Sequence, residues 1–123
     1  MPVAEYDIRT ECGAHWRRNF TWVESGVDAP IAGSTAQLTV RADFDGEALL
    51  ILTDVAGITI TDGNVYIEIT PTQIGLVRDG LGLEFAQGPF VAGIYDLRLT
   101  YPDTTQVIFL AGRFIVRKSV TAQ

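Results

Sequence analysis

The sequence predicts an all-β domain: an antiparallel β-sandwich of immunoglobulin-like type with one short helix, a small barrel being the alternative. Three observations lead there. Apolar and polar residues alternate over seven to nine short stretches, the period of half-buried strands. Turn formers separate those stretches at near-regular spacing. Only one segment, at Thr70-Pro71-Thr72-Gln73, carries a helix start. With 123 residues, residues 1–123 read as a single domain that buries roughly 65% of its unfolded surface.

Taken in order, Met1–Thr10 reads as an amphipathic strand in which Ala4, Tyr6 and Ile8 alternate with Glu5, Asp7 and Arg9. Such a strand either pairs within its own sheet or adds to a neighbouring subunit, which makes Val3, Tyr6 and Ile8 the candidate partner-docking residues. Glu11-Cys12-Gly13 breaks it. His15–Glu24 is the next strand. Its two tryptophans, Trp16 and Trp22, share one parity with Phe20 and are expected in the core. Arg18 has that same parity and marks a sheet edge, where its head reaches water. Ser25–Gly33 reads as a loop. Ser34–Ala42 alternates most regularly, with Ala36, Leu38, Val40 and Ala42 inward.

Asp43-Phe44-Asp45-Gly46 reads as a tight turn. Glu47–Thr53 follows as a strand covered on both faces, then Gly57–Thr61. Asp62-Gly63-Asn64 turns the chain into Val65–Thr70. Thr70 is the expected N-cap, Pro71 the first helical residue and Gln73 the partner in a capping box. The helix is expected to last about two turns and to stop at Gly80-Leu81-Gly82, with Ile74 and either Val77 or Arg78 toward the sheet. Leu83–Pro89 leads into a long hairpin, Gly93–Val116. There Tyr95, Leu97, Leu99 and Tyr101 alternate with polar residues, and Pro102-Asp103-Thr104-Thr105 makes the turn.

Charge and composition narrow the functions. The formal net charge is −6, and no basic stripe exists to follow a phosphate backbone, so nucleic acid is not an expected partner. The longest apolar runs, Ala48–Leu52 and Val107–Ala111, are too short to cross a bilayer, so no membrane partner is expected either. One cysteine forms no intrachain disulfide, and with no recognisable signal peptide the expectation is synthesis in a reducing cytoplasm.

The residues offer little catalytic chemistry. His15 is the single histidine and lacks a nucleophile elbow. Cys12, three residues away, reads as inert packing. One His and one Cys do not make a zinc site. Asp43, Asp45 and Glu47 alternate like calcium ligands, but the glycine and the distal acid of an EF-hand are misplaced. Tyr66, Tyr95, Tyr101, Trp16 and Trp22 are the candidates for a sugar-binding face. No cofactor and no metal are expected, and the chain does not read as an enzyme.

Several stretches, in order, resemble a family of small phage and prophage virion proteins that is similar to the amino-terminal domain of the lactococcal phage upper baseplate protein. They are Gly13-Ala14-His15-Trp16-Arg17-Arg18-Asn19-Phe20-Thr21-Trp22, Pro30–Ala36, Leu38-Thr39-Val40-Arg41, Thr70-Pro71-Thr72-Gln73, Tyr95-Asp96-Leu97-Arg98-Leu99, Gly112–Val116 and Val120-Thr121. Ala32, where the family pattern has an acid, and the insertion Leu81–Val91 depart from it. The resemblance implies a β-sandwich with a structural place in a tail, baseplate or tail fibre. Its partners would be other tail or virion proteins and further copies of itself as a homo-oligomer, with no catalysis. The virion would be its location and the host cytoplasm its site of synthesis. The alternatives are a carbohydrate- or host-receptor-binding module of a tail and a capsid decoration protein.

Overall fold

The computed structural model describes residues 4–83 and 87–118. In chain order the elements are β1 (Ala4–Glu5), β2 (Ile8–Glu11), β3 (Trp16–Thr21), β4 (Val23–Glu24), β5 (Val27–Asp28), β6 (Thr35–Arg41), β7 (Ala48–Thr53), β8 (Ile58–Thr61), β9 (Asn64–Ile69), α1 (Pro71–Leu81), β10 (Phe90–Thr100) and β11 (Gln106–Arg117). The larger sheet has the order β1-β11-β10-β6-β7, with β2 continuing the course of β1 along β11. The second sheet is β3-β9-β8, and β4-β5 form a small separate ribbon.

This arrangement is the immunoglobulin-like sandwich. One layer corresponds to strands B, E and D, and the other to G, F, C and C′. The first strand joins the last in parallel through β1 and β2. Inward residues of both layers build one core: Leu38, Val40, Leu97, Leu99 and Phe114 from the larger sheet, Val65, Ile67 and Ile69 from the smaller. Cys12 is buried and has no disulfide partner. Hydrophobic burial alone therefore stands where antibody domains add a covalent bridge between layers.

The helix starts as its sequence dictates. Thr70 caps it by accepting the Gln73 N–H at 3.2 Å, and the Gln73 side chain accepts the Thr70 N–H at 2.9 Å. Ile74 and Val77 are fully buried. The helix runs 11 residues, three turns rather than two, because Gly80 lies inside it and only Gly82, in the left-handed region, ends it. Gly80 serves packing instead: a Cβ there would sit 2.5 Å from Leu49 Cδ2.

Other expectations change for identifiable reasons. The stretch 15–24 is not one strand. At Trp22 the main chain leaves β9: its N–H donates to Gly63 O and its carbonyl accepts from Ala29 N–H. The stretch 25–33 is not merely a surface loop, since it holds β5 and the buried residues Ala29 and Ile31. Trp16, on the edge strand β3, and Trp22, just beyond it, are half-buried, and their broad rings pack against the rim of the core. The outer face of β7 is open, like that of the strands beside it, and Ile51 is 51% exposed. β6 ends at Arg41, so Ala42 lies beyond the strand and is exposed. The insertion 81–91 falls partly outside the described residues: 81–83 close the helix, with Leu83 buried, and Phe90 already belongs to β10. Val120-Thr121 lies wholly outside them.

Candidate interaction face

The larger sheet has an uncovered outer face, and strand register fixes what it presents. One row across four strands is Ile51, Thr39, Asp96 and Ala111. On one side of it lies the row Thr53, Gln37, Arg98 and Ile108, and on the other Ala48, Arg41, Ile94 and Arg113. The face therefore mixes isoleucines with arginines and an acid, unlike the uniformly charged surface of a solvated sheet.

Two bulges shape it. Between Leu97 and Arg98 the register with β11 shifts by one residue. Phe109 thereby turns into the core beside Leu110, while Ile108 stays outside. The bulge at Val40/Arg41 leaves Leu49 as the extra residue, which packs on the core next to Gly80. The face holds two shallow depressions. One, of about 500 Å³, is polar and lined by Thr35, Gln37, Thr53, Asp54, Arg98 and Gln106. The other, of about 510 Å³, is lined by Phe44, Ile94, Ile108, Ala111, Gly112 and Arg113. Thr39, Arg41 and Asp96 line both. Phe44 stands 89% exposed on the β6–β7 turn, which Arg41 ties down by donating from Nη1 to Gly46 O at 2.7 Å.

The predicted docking strand is committed to its own sheet. Val3 lies outside the described residues. Ile8 is fully buried in the chain's own core, and β2 pairs with β11 from Phe114↔Ile8 to Arg117↔Glu11. Tyr6 seals the gap between the layers. Its ring meets Phe20 edge-on at 5.0 Å, and the Arg18 guanidinium lies over both rings, 5.1 Å from Tyr6 and 5.6 Å from Phe20. Its carbonyl accepts a hydrogen bond from the Tyr95 hydroxyl, whose pKa burial pushes up. The apolar side of this segment faces the chain's own core, with Ile8 fully buried and Tyr6 partly so, and the segment stands at the end of the sheet order.

Between β1 and β2 the chain steps over Gly112, and there Asp7 replaces a missing backbone partner. Its Oδ1 accepts the Arg113 N–H at 3.1 Å, and its Oδ2 accepts from Arg113 Nη2 at 3.2 Å. These two bonds hold the Asp7 carboxyl below its usual range. Read as a solvated residue of an alternating strand, Asp7 gives no sequence signal of this bridge, which spans 106 positions.

The other candidates are dispersed. His15 is exposed and lines a cleft of about 640 Å³ with Glu11, Trp16, Phe90, Arg9 and Arg117. Its one acid neighbour in that lining lies among arginines. Cys12 is buried, as packing requires. Asp43, Asp45 and Glu47 are exposed or at the surface, and Asp43 Oδ1 accepts the Asp45 N–H at 3.1 Å, the work of a turn former. The five aromatic residues do not form one sugar-binding face. Tyr95 is in the core, Tyr66 lies on the outside of the small sheet opposite Asn19, Trp16 borders the His15 cleft, and Trp22 and Tyr101 stand together elsewhere.

No protein-family model matches the chain, and no curated protein sequence does. Solved structures are similar at low identity. The extracellular domain of the voltage-gated sodium channel β4 subunit, described as a parallel homodimer with a role in cell–cell adhesion, is 10% identical over 98% of this chain and 97% of its own, with a TM-score of 0.49. Murine CRIg is 12% identical over 92% of each chain, with a TM-score of 0.41. A sodium channel β-subunit structure from work on multimeric cell-adhesive interactions is 9% identical over 98% of this chain and 99% of its own, with a TM-score of 0.43. These values carry nothing about activity or partners; it is strand order and pairing that make the chain immunoglobulin-like.

Proposed function

We propose that this chain is a structural module of a phage or prophage tail, baseplate or tail fibre that works by protein–protein contacts, through the open face of the larger sheet. The observation that carries the contact role is that face itself. Phe44 is largely exposed and Ile51 half exposed beside Ile94 and Ile108, and the arginines 41, 98 and 113 alternate with Asp96 and Asp54. Apolar centres with a mixed-charge surround are what specific interfaces use, because apolar burial drives association and charge pairing sets the register. The virion setting is supported by the ordered resemblance, from the Trp16–Trp22 strand to Gly112–Val116. The partners are other tail proteins and further copies of this chain, and no catalytic step is part of the role.

Size-exclusion chromatography with light scattering, and co-purification with tail components, test it. A defined oligomer or a stable complex is expected, and both should be lost in the double variant Phe44→Ser/Ile51→Glu. A strict monomer that retains no tail protein would overturn the proposal.

A further inference from the structure

At one end of the sandwich a second cleft of about 410 Å³ lies between the β10–β11 turn and the segment that follows β5. Trp22, Pro30, Ile31 and Tyr101 give it apolar and aromatic walls, and Glu24 and Asp103 bring two carboxylates. Among the described residues, no lysine or arginine lines it.

The walls are held from several sides. Trp22 is bonded through its N–H to Gly63 and through its carbonyl to Ala29, at 2.8 and 2.9 Å, and its ring leans on Phe109 at 5.6 Å. Asp62 Oδ1 accepts the Ala32 N–H at 2.9 Å, and the Ile31 carbonyl accepts the Ser34 N–H at 3.1 Å. Across the cleft, the Tyr101 N–H donates to Thr105 O and the Tyr101 carbonyl accepts the Thr104 N–H, both at 2.8 Å. Asp103 Oδ1 accepts the Thr105 N–H at 2.9 Å. Burial, followed by the charges of Glu24 and Asp103, raises the pKa of the Tyr101 hydroxyl, so the phenol stays neutral beside those carboxylates.

Aromatic faces beside uncompensated carboxylates attract a cation, by ring quadrupole and by charge together. A guanidinium suits such a wall better than an ammonium. It is flat, weakly hydrated and able to stack, and its forked N–H groups serve two acceptors at once. Its methylene stem would lie along Pro30 and Ile31. We propose that this cleft receives an arginine side chain from a partner protein, the guanidinium resting on Trp22 and Tyr101 and directed at Glu24 and Asp103. This second contact is independent of the open-face reading, because it uses none of the same residues.

The test is a ¹⁵N NMR titration of the full chain with N-acetyl-arginine-N-methylamide, run against the neutral citrulline isostere and a neutral oligosaccharide. The arginine probe should give saturable shifts at the Trp22 indole and at the amides of Glu24 and Tyr101–Thr105, stronger at low salt. Glu24→Gln and Asp103→Asn should each weaken its binding about twofold to fivefold. The side-chain amide oxygen that Asp103→Asn introduces can still accept the Thr105 N–H, so the turn survives, and a dispersed spectrum confirms that each variant is folded. Equal shifts from citrulline, shifts from the oligosaccharide alone, no saturable shifts at these residues, or unchanged affinity in the double variant Glu24→Gln/Asp103→Asn would each overturn the proposal.

Discussion

Gly112 shows how one residue can govern an entire strand. A Cβ at this position would lie 2.3 Å from the Tyr6 carbonyl oxygen, which is main chain and cannot rotate aside. Gly112→Ala should therefore lift β1 and β2 from β11 and cost about 1–3 kcal/mol, read as a lower urea midpoint with amide exchange rising first at residues 5–11. Asp7, beside it, sets an acid limit. Arg113 depresses its folded pKa below the model-compound value of 3.8. A carboxyl with a depressed folded pKa adds stability above its unfolded pKa, and that stability is lost as pH falls through the folded pKa. Thermal stability should thus decline as pH drops below about 4, and Asp7→Asn should show a shallower decline. Asp103, depressed by the Thr105 N–H, acts in the same direction and in the same window. An Asp7→Asn variant with the full wild-type acid slope would remove the role given to that carboxylate.

Elements differ in how far local chemistry fixes them. The start of α1 is local: Thr70, Pro71 and Gln73 specify the cap, and they make it. Thr70→Ala should cost about 1 kcal/mol by leaving the Gln73 amide unpaired, measurable by denaturant unfolding with an unchanged m-value. The end of the helix was less legible, because Gly80 reads as a stop when its task is to admit Leu49. β6 and β9 follow their alternation closely, with Leu38, Val40, Val65, Ile67 and Ile69 all fully buried. Where a bulge intervenes, alternation misleads. Phe109 and Leu110 are adjacent yet both buried, and nothing in the run Val107–Ala111 marks which residue is the extra one.

For the whole molecule, the decisive quantity is which face stays open. Leu97 and Ile51 are both large aliphatic residues on strands of one sheet, but Leu97 is fully buried and Ile51 half exposed. Leu97→Ala should cost about 2–5 kcal/mol, while Ile51→Glu should change monomer stability by no more than about 0.5 kcal/mol and still abolish assembly. Calorimetry beside light scattering separates the two effects. If Ile51→Glu unfolds the monomer, the open face is core and the contact role fails. The candidate site was only partly readable. The outward residues of β6 and β10 follow from period two, but placing them in rows with Ile51 and Ile108 needs the cross-strand register.

By itself the sequence determined the class of the protein: short alternating strands, one capped helix, and apolar runs too short for a bilayer-crossing helix. Those properties are local, set by residues a few positions apart. The tertiary structure decided which strands became edges, that the amino-terminal strand closes its own sheet, and that Trp22 and Tyr101 meet across a cleft. Such outcomes depend on contacts between residues tens of positions apart, where small gains in burial and pairing select among registers that local pattern leaves equivalent.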